Sequence, residues 1–134
     1  MGRQQELPLQ GIVELASAFY GSATLFAAIE TDVFTAIAKL GARATAETVA
    51  EAADASARGM RLLLDACVAL GLLAKRGDIY ANTAAGAQAL VAGAPADLSR
   101  TILYNRDVYP AWGRLSQLVK TGRPVEDPAI HLGA

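Results

Sequence analysis

The stretch Thr45–Thr83, TAETVAEAADASARGMRLLLDACVALGLLAKRGDIYANT, decides the fold of this chain. Its pattern predicts a short helix, a tight turn, a longer helix and a two-stranded hairpin, which is the outline of a winged helix. Thr45 and Ser56 are predicted N-caps, because each precedes an apolar run with helical spacing. The second helix is expected over Ala57–Leu70, and Gly71 ends it by supplying a left-handed residue.

The predicted hairpin follows directly. Leu72–Arg76 and Ile79–Thr83 are short strands joined through Gly77–Asp78, a dipeptide that suits a tight turn. Much of the remaining sequence is rich in alanine, which favours helix. We therefore predict a mainly α fold: a winged-helix-like domain with a small β-hairpin and additional N- and C-terminal helices.

Composition limits the class of protein. The chain has 134 residues, a formal charge of −1 and 53% apolar residues. This length allows a modest core but is small for a complete enzyme with its own cofactor site. The near-neutral charge gives no general attraction to nucleic acid or to an anionic membrane.

The segment before the winged helix is predicted to begin with a flexible stretch, residues 1–8, followed by two apolar helices. The first starts at Leu9. Gly21–Ser22 is expected to interrupt the periodicity, with Ser22 as the cap of the second helix, and a kink is expected near Asp32–Phe34. These helices are apolar on more than one side, so they are either buried core helices or helices that also contact a second copy of the chain.

The segment after the hairpin is predicted to contain three further helices. Thr83 caps the first, Asp97 or Ser99 begins the second, and Pro110 lies in the first turn of the last, which ends before Gly122 and Pro124. The domain is thus expected to cover residues 9–124. Residues 125–134 have no apolar periodicity and are interpreted as the start of a linker.

No motif in the sequence indicates a catalytic, cofactor-binding or metal-binding site. Neither a GxGxxG nor a GxxxxGK[ST] loop is present, and one histidine and one cysteine cannot form a recognisable metal ligand set. Cys67 is interpreted as a buried structural thiol and His131 as a solvated loop residue. The single cysteine, the lack of a signal peptide and the lack of an apolar run long enough for a bilayer all favour a cytoplasmic protein.

The winged-helix outline also raises the hypothesis of DNA binding. A recognition helix needs polar side chains that can reach base edges. Between Ala57 and Leu70 the charged residues are only Arg58, Arg61 and Asp65, and the wing adds Lys75 and Arg76. This is a thin set for phosphate and base contacts, so packing is the favoured role of this helix.

Four ordered segments carry a resemblance to a known family. They are Ala27–Phe34 (AAIETDVF), Thr45–Ala50 (TAETVA), Arg58–Leu73 (RGMRLLLDACVALGLL), and Leu103–Asp107 (LYNRD) with Trp112, Leu115, Gly122 and Pro124. Together they resemble the N-terminal dimerisation domain of S-adenosylmethionine-dependent O-methyltransferases of the caffeic acid, acetylserotonin and bacterial polyketide-tailoring type. Thr31 and Asp32 depart from the Leu-Gly pair that is usual there.

The resemblance implies a homodimer and a cover over the acceptor pocket of a catalytic domain that this chain lacks. It assigns dimer contacts to Phe19, Leu25, Phe26 and Ile29, and acceptor contacts to Tyr104, Asn105 and Trp112. It also implies that S-adenosylmethionine and the catalytic base belong to the complete enzyme, whose acceptor would be a small aromatic or polyketide-like molecule. The family's catalytic histidine lies in the absent domain, and His131 does not match it.

Three functions are therefore considered. The favoured one is the dimerisation and substrate-covering part of a small-molecule O-methyltransferase. The alternatives are a stand-alone winged-helix transcriptional regulator and a dimerisation or small-molecule-binding module with no enzyme attached. A salt-dependent DNA complex would favour the regulator.

Overall fold

The computed structural model describes residues 4–125. This part of the chain is mostly helical and contains one antiparallel pair of strands, as predicted. In chain order the elements are α1 (Leu9–Ser17), α2 (Phe19–Glu30), α3 (Val33–Leu40), a 3-10 turn (Gly41–Arg43), α4 (Ala46–Ala52), α5 (Ala57–Ala69), β1 (Leu73–Arg76), β2 (Ile79–Asn82), α6 (Ala84–Ala89), α7 (Ser99–Trp112) and α8 (Leu115–Thr121). Two compact units meet in the sequence at Ser99, and α7 begins at that residue.

The winged helix forms as the sequence predicts. Thr45 and Thr48 make a reciprocal capping box at the start of α4, and the Ser56 hydroxyl accepts a hydrogen bond from the Gly59 N–H at the start of α5. Gly71 has a φ of 80°, which allows the chain to leave α5 in the left-handed region. These local determinants confirm both helix boundaries to within one residue.

The hairpin is held to the helices by polar contacts as well as by its own ladder. Leu73 pairs with Asn82 and Arg76 with Ile79 across the two-residue turn. The Tyr80 N–H donates to the Ala44 carbonyl at 2.8 Å, so the segment before α4 borders the outer edge of β2. The hairpin therefore has a fixed position against the helices.

The core of the first unit lies between α2, α3, α4, α5 and the hairpin. Its members are apolar side chains that are almost fully removed from water: Val33, Phe34, Ile37, Val49, Met60, Leu64, Cys67, Leu73 and Tyr80. Burial of such side chains stabilises each by about 1.5–3 kcal/mol relative to exposure. The winged helix therefore has its own cooperative core.

Two predictions about the N-terminal helices are wrong. Ser22 does not cap a helix, because the break falls at Ala18 and α2 continues through Gly21. A methyl group built on Gly21 would lie 3.6 Å from Leu70, so this glycine lies where α2 approaches the end of α5 closely. The expected kink is instead a full break, because Asp32 has a φ of 55° and the helix restarts at Val33.

Pro110 also differs from the prediction. It lies near the end of α7 rather than in the first turn of the last helix. Proline lacks the N–H that would otherwise donate to the Arg106 carbonyl, and its position two residues before the end confines that loss to the last turn of α7. Gly113 donates to the Pro110 carbonyl at 3.2 Å, which tightens this last turn. The predicted stop at Gly122 is confirmed, since that residue is left-handed with a φ of 69°.

The near-continuity of α1 and α2 corrects a further expectation. Leu9–Glu30 forms a 22-residue helical run that is long and apolar enough to cross a bilayer by length and composition alone. Two helices separated at Gly21–Ser22, as the sequence predicts, would each be too short to reach that length. Buried helices of water-soluble proteins meet the same criterion, and α2 buries Phe26, Ala28 and Ile29 within the unit. The run is therefore weak support for a membrane span.

Candidate functional site

Helix α1 exposes an apolar surface that continues into α2. None of the residues of α1 is buried, and Pro8 supplies no side-chain cap. Large apolar side chains dominate this exposed surface, and they are Leu7, Leu9, Ile12, Val13, Leu15, Phe19 and Tyr20. Phe19 and Tyr20 contact each other edge to face with ring centroids 4.5 Å apart. An apolar surface of this kind is typical of a protein contact.

The four residues predicted to make dimer contacts do not share one environment. Phe19 is 47% exposed and belongs to the α1 surface, whereas Phe26 and Ile29 are only 9% and 8% exposed. Leu25 is half-buried. Phe26 and Ile29 therefore place most of their surface within their own chain, and only Phe19 is widely available for a partner.

The sequence predicts a possible contact with a second copy for both N-terminal helices, but among their residues it names only Phe19, Leu25, Phe26 and Ile29. The exposed Leu9, Ile12, Val13 and Leu15 of α1 belong to the same predicted helices without being named individually. Exposure in the folded chain is what distinguishes these residues from Phe26 and Ile29.

The three residues predicted to contact an acceptor lie in α7, in the second unit. Tyr104 and Trp112 are 53% and 67% exposed, and Asn105 is also exposed. Asn105 and Trp112 are seven residues apart, so helix geometry places them on one face, with Tyr104 about 100° around the axis. Helix geometry alone would thus bring an amide and an indole to one side of α7.

An apolar depression adjoins Trp112 within the same unit. Its volume is about 240 Å³, and its lining residues are Ala111, Trp112, Leu115, Leu118 and Val125. Tyr104 and Asn105 do not line it. The structure thus brings Trp112 together with apolar side chains of α8 and leaves the other two predicted residues outside this depression.

Two of the three charged residues of α5, Arg61 and Asp65, are used within the winged helix. Arg61 forms an ion pair with Glu47, and the Asp65 carboxylate accepts hydrogen bonds from Lys75 at 2.9 Å and from the Tyr80 hydroxyl at 2.5 Å. The bond from Tyr80, followed by that from Lys75, lowers the pKa of Asp65. These contacts leave α5 poorly equipped to read DNA, which agrees with the packing role inferred from sequence.

The surroundings of Cys67 do not favour nucleophilic or metal chemistry. This thiol is buried, and burial raises its pKa to about 11, so it stays protonated at neutral pH. Within residues 4–125, no group of three or more histidine, cysteine or acidic side chains is placed to hold a metal ion. His131 lies outside the residues that the structure describes.

Comparison with known proteins gives a consistent result. The family model for the O-methyltransferase dimerisation domain matches residues 13–92. Acetylserotonin O-methyltransferase of Mus musculus is 39% identical over 138 aligned residues, which cover 98% of this chain and 35% of that protein. The tetracenomycin polyketide synthesis 8-O-methyl transferase of Streptomyces glaucescens is 38% identical over 83% of this chain and 33% of its own length.

A solved structure also resembles this chain in fold and in sequence. The crystal structure of human N-acetylserotonin methyltransferase in complex with SAM matches with a TM-score of 0.77 and 34% identity. The match covers 92% of this chain and 37% of the human chain. This chain therefore spans about a third of the length of the relatives that it matches.

Proposed function

Because this chain belongs to the family of O-methyltransferase dimerisation domains, we propose that it forms a homodimer through α1 and the start of α2. The observation that carries the proposal is the exposed apolar surface of α1, where none of the helix residues is buried. A twofold axis would place the same surface of two copies face to face, so each apolar side chain would gain an apolar neighbour.

The contact would depend most on Phe19 and on the α1 residues beside it. Aromatic side chains are enriched at the centres of protein interfaces, and the exposed Phe19–Tyr20 pair begins four residues after the exposed Leu15. Leu25 would lie at the margin, while Phe26 and Ile29 would support the interface from beneath with the little surface that they expose. This proposal also gives the apolar Leu9–Glu30 run a protein environment, in keeping with a cytoplasmic protein.

We further propose that the chain is part of an S-adenosylmethionine-dependent O-methyltransferase and covers its acceptor. The relatives named above are about three times as long, and the human one holds SAM. The methyl donor would supply the methyl group in that larger protein. Because the sequence has no glycine-rich nucleotide loop, no residue of this chain is proposed to hold the donor.

The role proposed for the second unit is to orient the acceptor. Trp112 would offer a flat apolar wall to a small aromatic or polyketide-like molecule, and the Asn105 amide could donate to or accept from its polar groups. Tyr104 would add a second aromatic surface. The names of the relatives, which refer to acetylserotonin and to tetracenomycin polyketide synthesis, support this acceptor class.

The dimer is tested by light scattering of the 134-residue chain over a range of concentrations, with Leu15→Glu as the probe. Leu62→Glu on α5 is the matched control, because these leucines are 70% and 65% exposed, respectively. We expect Leu15→Glu to raise the dimer Kd by roughly a hundredfold or more, since the symmetric contact would bury the charge twice. Leu62→Glu should leave the Kd unchanged.

Two outcomes would contradict the dimer proposal. One is a wild-type chain that is a folded monomer at every concentration tested. The other is an equal effect of the two substitutions, which would move the contact away from α1. Circular dichroism of both variants establishes that each remains folded.

A further inference from the structure

A groove lies along the outer face of the hairpin. The register pairs Ala74 with Ala81 and Arg76 with Ile79, which places these four side chains on one face. Leu73 and Tyr80 are buried on the opposite face. The groove has a volume of about 510 Å³ and is lined by Ala42, Ala74, Lys75, Arg76, Ile79 and Ala81.

The groove continues toward α3. A second depression of about 360 Å³ shares Ala42, Ile79 and Ala81 with the first and adds Ile37 and Ala38. Together they follow the boundary between the 3-10 turn and β2. Their floor is therefore made of small and branched apolar side chains.

Hydrogen bonds fix the walls of this groove. The Tyr80 N–H bonds to the Ala44 carbonyl at 2.8 Å, which holds β2 to the segment after the 3-10 turn. The Asn82 side-chain amide donates to the Phe34 carbonyl at 3.0 Å and holds the end of β2 to α3. A ligand would therefore find the groove already formed, with little ordering cost.

The composition of this face is unusual for an exposed hairpin. The outer face of an antiparallel sheet is ordinarily polar, whereas Ala74, Ile79 and Ala81 are apolar. Neither depression has an aspartate or glutamate among its lining residues. The charged groups that line the groove are both cations, which favours an anionic ligand.

The two cations differ in availability. Lys75 is directed to Asp65, to which it donates at 2.9 Å, and its ammonium lies over the Tyr80 ring. Arg76 is exposed and makes no ion pair with any residue in the described part of the chain. Its guanidinium is a planar fork that can bind a carboxylate or sulfonate with two hydrogen bonds.

We propose that this groove binds a flat organic anion. The apolar body of the ligand would lie over Ala42, Ile79 and Ala81, and its acidic group would pair with Arg76. The volume of the groove is in the range of small-molecule sites. Since the site uses neither α1 nor α7, the proposal is independent of dimerisation and of acceptor binding.

The test uses 2-naphthoate as the probe and 2-naphthamide as its neutral counterpart, titrated into the ¹⁵N-labelled 134-residue chain. We expect saturable amide shifts centred on Ala42, Ala74, Arg76 and Ala81. Arg76→Gln should weaken 2-naphthoate binding roughly tenfold by removing a charge-assisted pair. Arg58→Gln is the control, because Arg58 is an exposed arginine on α5 that does not line the groove. It should leave the Kd for 2-naphthoate unchanged.

Several results would overturn the proposal. They are the absence of a saturable shift, shifts confined to α1 or α8, equal affinity for the acid and the amide, and equal effects of Arg76→Gln and Arg58→Gln. Because both arginines are exposed, neither variant should alter the fold, and the amide spectrum reports this directly.

Discussion

The winged helix and helix α1 differ in where their stabilising contacts come from. At the start of α4 and of α5, side-chain hydroxyls accept hydrogen bonds from backbone N–H groups, and both helices bury apolar residues against the hairpin or against each other. Helix α1 begins after Pro8 without a side-chain cap and buries none of its residues. Both regions are helical, yet only one of them is stabilised by its own unit.

This contrast has a physical consequence. Helix α1 continues almost directly into the anchored α2, so it does not bear the whole cost of nucleation, but it buries none of its own residues and gains no stability from packing within the chain. The apolar surface of α1 must therefore be covered for the helix to be strongly stabilised. The winged helix should be stable at any protein concentration, whereas α1 should depend on a partner.

The largest expected effect separates these two sources of stability. Leu64→Ala in α5 removes a side chain that is completely buried, and it should lower the free energy of unfolding by about 2–5 kcal/mol. Leu15→Ala in α1 should cost less than about 0.5 kcal/mol in dilute solution, where the residue is exposed. Urea denaturation at two protein concentrations measures both.

Concentration dependence distinguishes the two variants further. The loss of unfolding free energy in Leu64→Ala should be similar at both concentrations. The loss in Leu15→Ala should grow at the higher concentration, where the dimer becomes populated. If Leu15→Ala were as costly as Leu64→Ala at the lower concentration, α1 would be packed within a single chain and the contrast would be wrong.

A smaller effect tests the helix caps. Thr45→Ala breaks the capping box of α4 and should cost about 1 kcal/mol. Ser22→Ala is the control, because Ser22 lies inside α2 and alanine is the better helix former there. Thermal unfolding should show a lower Tm than that of the wild type for Thr45→Ala but not for Ser22→Ala. A comparable loss of stability in Ser22→Ala would indicate that Ser22 caps a helix, as the sequence predicts.

These caps also explain which parts of the fold could be predicted. Thr45, Ser56 and Thr83 each act within three residues of their partners, so the sequence alone contains the interaction. The division between α1 and α2 was misplaced because Gly21 lies inside a continuous helix that packs near Leu70, a residue far away in sequence, and does not act as a helix breaker there. Pro110 was misplaced because proline is commonest in the first turn of a helix, whereas here it lies in the last turn of α7, where the hydrogen bond that it removes affects only the end of the helix.

The candidate site was less predictable than the fold. Periodicity identified Phe19, Phe26 and Ile29 alike as apolar helix residues, and only packing against the rest of the unit separates the exposed Phe19 from the other two. The groove beside Arg76 required the strand register and the position of the 3-10 turn. Such features depend on contacts between distant segments, which a pattern of residue types does not encode.

The smallest expected effect concerns the bond that joins the hairpin to α5. Tyr80→Phe removes the hydroxyl that donates to Asp65 but keeps the buried ring, and it should cost about 0.5 kcal/mol at pH 7. Tyr20→Phe, which alters an exposed phenol on α2, is the control. Because the pKa of Asp65 is lowered in the folded state, its contribution is present above the unfolded-state pKa near 3.8 and is lost as pH falls through the folded value.

The stability difference between wild type and Tyr80→Phe should therefore shrink as the pH is lowered from 7 to 3. The Asp65 carboxyl should also titrate at higher pH in Tyr80→Phe than in wild type, because the bond from Tyr80 is the largest cause of its lowered pKa. Burial, with the Asp65 bond, raises the pKa of Tyr80 itself, so the hydroxyl keeps the proton that it donates. A pH-independent difference would mean that the Tyr80 hydroxyl contributes equally whether the Asp65 carboxyl is charged or neutral, so the charge of Asp65 would not strengthen the link between the hairpin and α5.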